Sequence, residues 1–287
     1  LAVSLGLPVE VALKMATIQA ARCYGLTSLG AIAPGYQADL VVLDDLEDFN
    51  VTEVYHKGTK IIRDEKKEIR ACDPKLKNTV HISNFSEKQL ELPWKEGKAH
   101  ILRMLEGQIV TEDILEEPSY TEKDGQKFFV SDDRFQKIAV IERHKGTGKN
   151  SVGIVSGFGL RGGAIASSVS HDSHNIIVIG DNDHDMYLAV QELIRTQGGY
   201  TLVKNGQVFD TLPLSIMGLM SDLGYEKVNE ILGRMIPEAH RMGIPDGFDP
   251  FITLSFMALP VIPEIRVTPR GIYLVKEDRL LRNPYEK

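Results

Sequence analysis

Six polar residues, Ser170-His171-Asp172-Ser173-His174-Asn175, run directly into Ile176-Ile177-Val178-Ile179-Gly180. Four consecutive β-branched apolar residues are the composition of a buried strand. The chain must therefore place two imidazoles, a carboxylate, two hydroxyls and an amide at the mouth of a strand, a position where ligands are often met. Upstream, Gly157-Phe158-Gly159-Leu160-Arg161-Gly162-Gly163 reads as a flexible lead-in. Downstream, Asp181-Asn182-Asp183-His184-Asp185 is a second polar cluster that opens a helix. No other part of the chain concentrates so many proton-transfer and metal-ligand groups.

With 287 residues, length allows about two domains. A hydrophobic content of 43% with 25% charged residues is that of an ordinary globular chain. The net charge of −7 leaves no electrostatic footprint for nucleic acid. No apolar run approaches the roughly 18 residues that span a bilayer, so no membrane partner is expected. Cys23 and Cys72 stand far apart without a CxxC pairing, which fits a reducing compartment, here the cytoplasm, and no cysteine-built zinc site. Leu1-Ala2-Val3-Ser4-Leu5 has neither an initiator Met nor a basic n-region. It reads as the interior of a longer protein, and the expectation is a piece whose N-terminal part lies elsewhere.

Pro8 to Tyr24 has helical spacing, with Val11, Met15, Ile18 and Arg22 recurring at three and four residues and Gly25 as the stop. Ala38 to Leu43 reads as a short buried strand, and 51–55 and 59–62 as a hairpin around Lys57-Gly58. The segment 63–73 reads as a charged edge or linker. Strands are expected at 79–85, 99–104, 108–111, 136–143, 151–157 and 175–179, with 115–125 an irregular acidic connection. Helices are expected at 184–196, capped by Asp183, and at 214–221, 225–242 and 250–259. Asn205-Gly206 marks a hairpin within 200–210, and strands around Pro269-Arg270-Gly271 end the chain. Short strands mixed with helices without strict alternation give an α+β unit.

His171 and His174 are three apart, a spacing that holds a metal on a helix. Serines and a following strand favour a loop here, which can still converge both rings and Asp172 on one ion or substrate. Against this stands the reading that Asp, Ser and Asn merely bond their own turn. Six such groups in a row favour a functional site. Gly157-x-Gly159-x-x-Gly162 matches a dinucleotide fingerprint as a string, but no sustained helix follows it. A loop bringing Arg161 near a ligand is the better reading. Asp181-x-Asp183-x-Asp185 lacks the Gly and distal Glu of a calcium loop and reads as a helix start. Ser173, His174 and Asp172 cannot form a hydrolase triad as neighbours on an extended chain, and no G-x-S-x-G elbow exists. His56, His81, His100, His144 and His240 are isolated and read as structural or exposed.

Met15-Ala16-Thr17-Ile18-Gln19-Ala20-Ala21-Arg22, followed by Gly30-Ala31-Ile32-Ala33-Pro34-Gly35-Tyr36-Gln37-Ala38-Asp39-Leu40-Val41-Val42-Leu43, resembles the end of an amidohydrolase-superfamily enzyme. Gly162-Gly163-Ala164-Ile165-Ala166-Ser167-Ser168, the Ser170–Ile176 run, Asn182-Asp183 and Asp185-Met186 resemble the C-terminal domain of the bacterial adenine deaminase family. The similarity runs along the whole chain.

The resemblance implies an α+β fold class: the last helix of an amidohydrolase (β/α)8 barrel (1–28), part of its β-sandwich (29–75), then a mixed α+β C-terminal domain (76–287). It implies hydrolytic deamination of adenine to hypoxanthine and ammonia in purine salvage. A divalent metal, Mn2+ or Fe2+, would lower the pKa of its bound water, and a carboxylate would pass a proton to the leaving ammonia. The family's HxH motif, later histidines and barrel aspartate precede the helix at Pro8. The main metal ligands are therefore expected upstream of Leu1, with no metal held here and no activity for the piece alone. His171, Asp172 and His174 are the catalytic candidates, without assigned roles, and Asn175, Ser173 and Arg161 the substrate-binding ones. Adenine, the barrel half of the same chain and further copies in a homo-oligomer are the expected partners. The competing readings are another amidohydrolase acting on cyclic amidines or amides, a non-catalytic lid or assembly module, and an independent metal-binding domain. An exposed helix seam and orphan strands predict poor solubility for residues 1–70 alone.

Overall fold

Val9–Lys14 (α1) and Ala20–Cys23 (α2) flank a π-helical turn, Met15–Gln19, so the helical spacing is realised as one continuous stretch. Gly25, at φ 68°, ends it, with the Leu26 amide donating back to the Ala21 carbonyl at 2.8 Å. Strands β1 (Leu40–Leu43), β2 (Val51–His56) and β3 (Thr59–Lys60) pair antiparallel in that order. Lys57 and Gly58 turn the hairpin with φ 51° and 79°, matching the twist of a two-residue loop. The computed structural model describes residues 1–62 and 72–286, so most of the expected linker at 63–73 lies outside the described residues. The chain divides into Leu1–Glu68 and Ile69–Lys287. In the first unit β1 is not buried as expected: Val41 and Val42 are 59% and 41% exposed. Three short strands cannot cover both of their own faces.

The second unit is built on an eight-stranded sheet. Its strands are β4 (Ala99–Met104), β5 (Thr111–Glu116), β8 (Phe135–Ile141), β9 (Asn150–Ser156), β10 (Gly163–Ser167), β11 (Ile176–Gly180), β12 (Gly199–Lys204) and β13 (Gln207–Pro213). Between β5 and β8 a separate hairpin, β6 (Tyr120–Lys123) and β7 (Gln126–Phe129), turns at Asp124-Gly125. The order is β13-β12-β10-β11-β8-β9-β4-β5, antiparallel except for β4 with β9.

Both faces of this sheet are buried, which is why β8 and β11 read as continuous apolar runs. On one face Ile177 and Ile179 of β11 join Ile138, Val140, Ile165 and Leu202. They pack against α4 (Tyr225–Arg241), α5 (Pro250–Ser255) and a small sheet of β14 (Ile265–Thr268), β15 (Gly271–Leu274) and β16 (Arg279–Leu281). On the other, Ile176 and Val178 join Ala139, Ile141, Ala164 and Val203 beneath Met186, Ala189, Val190 and Leu193 of α3 (Asp183–Thr196). Helix α3 is capped one residue earlier than expected, by Asn182, whose side chain accepts from the Asp185 amide at 2.8 Å.

Several expectations are corrected. Residues 79–85 form no strand: the Val80 amide is taken by the Gln197 side chain and the His81 amide by the Arg143 carbonyl, not by a ladder. The strand placed at 108–111 begins at Thr111, and the connection at 115–125 contains the end of β5 and all of β6. Residues 214–221 form no helix; Ile216 and Met220 instead bridge across a tight turn.

Candidate functional site

Strand β10 ends at Ser167, and the next eight residues cross over the end of the sheet to enter β11. Serines fix the crossing. Ser168 is fully buried; its hydroxyl donates to the Gly218 carbonyl at 2.6 Å and accepts from the Gly199 amide at 2.8 Å. The Ser167 hydroxyl accepts from the Val169 amide at 2.9 Å. The His174 amide closes back on the Ser170 carbonyl at 2.6 Å, with His174 at φ 50°. The polar cluster is thus a tight loop at a strand mouth, as its composition suggested.

Within the loop the side chains divide. Asp172 and Ser173 are exposed, and His171 and His174 are half-buried. The two rings meet edge-on, with centroids 5.7 Å apart, and His171 leans on Phe256 at 4.9 Å. The His171 amide donates to Ser255 at the end of α5, at 2.9 Å. Burial, then the His171 and Arg143 charges, push the His174 pKa down, so its ring is neutral near pH 7. Its Nδ1 and the Ser170 hydroxyl are buried without a hydrogen-bond partner among the described residues. Asn175, expected to touch substrate, is buried: its Oδ1 accepts from the Arg143 amide at 3.3 Å and its Nδ2 donates to the Ser173 hydroxyl at 3.0 Å. It locks the loop rather than facing outward.

Arg161 is not brought to this loop. It precedes the opposite end of β10, about 13 Å away along the strand by the usual rise per residue. There it pairs with Asp133 at 2.6 Å. Among the described residues no three His, Cys, Asp or Glu side chains converge to hold a metal ion. The donor set in hand therefore does not fit the metal expected of an amidohydrolase, and no step below runs through one.

The second polar cluster serves the helix start. Asp183 and Asp185 sit in the first turn of α3, and the Asp185 carboxylate accepts from the Gly206 amide at 2.8 Å. Asp183 also pairs with the buried Lys137. Burial pushes the Asp183 pKa up and the Lys137 pKa down, and the attraction between them opposes both shifts. A cavity of about 250 Å³ opens beside this pair, walled by Phe128, Asp181 and Asn182.

Sequence reasoning missed Glu142-Arg143-His144, at the end of β8, the neighbour of β11. Arg143 binds the loop from beneath, and the His144 ring donates from Nε2 to the Ser173 carbonyl at 2.7 Å. Glu142 accepts from the amides of His144, Lys145 and Thr147 at 2.6, 2.8 and 3.0 Å. The available signal was a charged triplet directly after an apolar strand, the counterpart at a strand's end of the polar cluster that precedes β11.

Comparison with known proteins agrees with this architecture. The family model for the adenine deaminase C-terminal domain matches residues 108–279, and that for the amidohydrolase family matches residues 2–61. This chain belongs to the adenine deaminase C-terminal domain family. It is 50% identical over 280 residues to an adenine deaminase of Desulfitobacterium hafniense (strain Y51), covering 98% of this chain and 48% of that protein. An adenine deaminase of Nitratidesulfovibrio vulgaris (strain DP4) is 43% identical over 96% of this chain and 48% of its own length. One from Bacillus subtilis (strain 168) is 39% identical over 96% of this chain and 49% of its own. The chain spans about half the length of the curated relatives it matches.

Proposed function

We propose that the whole protein is an adenine deaminase, and that this chain supplies the end of its barrel and the domain over its site. The observation that carries this is identity of 39–50% along nearly the whole chain to proteins named adenine deaminase. The reaction adds water to the ring carbon bearing the amino group of adenine and breaks that C–N bond, giving hypoxanthine and ammonia. Residues 1–28 then close an amidohydrolase barrel, 29–75 belong to its β-sandwich, and 76–287 form the C-terminal domain. A divalent metal, manganese or iron, is held by residues other than those described here. The protein acts in purine salvage in the cytoplasm, as a homo-oligomer.

His171, Asp172, Ser173 and His174 are the part of this domain that reaches the purine. Asp172 and Ser173 present exposed polar side chains, and the His171 ring offers an aromatic edge backed by Phe256. A neutral His174 can donate or accept one hydrogen bond without adding charge beside a neutral base. The competing reading, a loop that only closes the sheet, draws on Asn175 and the Ser173 and His174 carbonyls being spent internally.

The test uses the full-length, metal-loaded protein with a panel of adenine, adenosine, guanine and cytosine, followed by ammonia release. Adenine is expected to be the preferred substrate; silence on adenine overturns the activity. His171→Asn and His174→Asn, singly and together, are expected to lower kcat/KM by about 100–10,000-fold, the range for losing a positioned proton-transfer group. Unchanged kcat/KM in the double variant overturns the site while leaving the activity standing.

A further inference from the structure

Arg143 is 1% exposed, yet no carboxylate faces it among the described residues. Its acceptors are the carbonyls of His174, Thr79 and Met217 and the hydroxyl of Thr79. Burial lowers its pKa only to about 10, so it is cationic at neutral pH. A buried cation without a counterion is costly, and an apolar side chain fills the same space at lower cost. What the guanidinium adds is a rigid planar fork of five donors that reaches several carbonyls at once. Here those carbonyls belong to three segments far apart in sequence. The Arg143 amide holds Asn175 as well, and the neighbouring His144 ring holds the Ser173 carbonyl. Gly218 makes room for the fork: a Cβ there would stand 2.8–2.9 Å from three guanidinium atoms. The consecutive carbonyls of residues 173 and 174 are thereby both pinned to the end of β8, and with them the two peptides that flank His174, whose ring meets that of His171 edge-on.

We propose that Arg143 is the positioning residue of the His171–His174 loop, setting the two rings against the purine without touching it. This rests on the reading of that loop as part of the adenine site. Losing the fork frees the 174–175 peptide, and a displacement near 1 Å at reacting groups can cost about 100-fold in rate.

The experiment compares full-length, metal-loaded Arg143→Lys, Arg143→Ala, Arg266→Lys and the His171→Asn/His174→Asn double variant by steady-state kinetics on adenine and by thermal unfolding. Arg266 is the matched control, fully buried and bonded to backbone carbonyls around Thr111 and Pro263. Arg143→Lys and Arg143→Ala are expected to lower kcat by about 100-fold with KM changed far less. Guanidinium ion, added below unfolding concentrations, restores at least part of the Arg143→Ala loss, and urea does not. Arg266→Lys lowers the unfolding temperature but leaves kcat alone. Wild-type kcat in Arg143→Lys, beside a crippled double variant, overturns the proposal alone. An equal loss of kcat in Arg266→Lys also overturns it, since any buried arginine would then serve. Full activity in the double variant removes the site reading, and the proposal falls with it. If Arg143→Ala does not fold, Arg143→Lys against Arg266→Lys decides.

Discussion

Glu142 shows how much one carboxylate can organise. Burial alone would raise its pKa, but the amides of Thr147, Lys145 and His144 and the Thr147 hydroxyl outweigh it and hold the value at about 2, against 4.5 for a free glutamate. A folded-state pKa below the unfolded one adds stability that is complete above the unfolded value and is lost as pH falls from about 4.5 to about 2. Glu142→Gln is therefore expected to flatten the acid limb of a pH–stability curve and to cost roughly 1.5–3 kcal/mol near neutrality, the usual worth of bonds to a charged acceptor. Urea titrations from pH 2 to pH 7 measure both; an unchanged acid limb would mean that the amides find water equally well. At this scale the sequence was informative about composition and poor about direction. Six polar residues before a strand did announce a loop at the strand mouth. Which of them face outward depends on partners more than thirty residues away in sequence, so Asn175 looked like a ligand group and is a lock. Arg143, one of three polar residues after a strand, carried no local sign of the three carbonyls it gathers.

Among the elements, β11 was the most legible, because burial on both faces leaves no polar alternation to misread. Ile179 is fully buried against α4, α5 and the small sheet. Ile179→Ala is expected to destabilise by about 2–5 kcal/mol in chemical unfolding, the range for an emptied aliphatic core position. A loss under 1 kcal/mol would mean that the face collapses around the gap. The helices α3 and α4 were legible from their spacing, and the β12–β13 hairpin from Asn205-Gly206. Strand β10 was not: Gly163-Ala164-Ile165-Ala166-Ser167 has small side chains because α3 and β12 crowd it. A Cβ on Gly163 would lie 2.0 Å from the Val203 carbonyl oxygen. Small residues chosen for close approach carry, in sequence alone, no strand pattern. The β6–β7 hairpin was hidden by its charge, although Asp124-Gly125 marks its turn.

For the molecule as a whole, the two units differ in how much of their apolar surface they cover. In 69–287 three buried clusters flank the eight-stranded sheet, whereas in 1–68 Ala21 is the sole buried hydrophobic residue among those described. Expressed alone, 69–287 is expected to give a cooperative urea transition with native-like circular dichroism, and 1–68 to give none. A broad, non-cooperative transition for 69–287 would show that its core needs more of the protein. The fold class was readable because mixed short strands and helices have few ways to bury both faces of a sheet. The parallel β4–β9 pair was not, since a local pattern carries no record of pairing across fifty residues.

The loop tied by Glu142 has one more consequence. Residues 144–149 are all exposed and include Lys145 and Lys149, the kind of surface tip that trypsin cuts first. Cleavage requires the backbone to leave its native shape, and here the amides of three residues in a row of six are held by a single buried-edge carboxylate. The protein should therefore resist nicking at the place where its surface most invites it. Glu142→Gln should turn these two lysines into the first sites of digestion, cutting the chain between β8 and β9 while the sheet still holds both halves together.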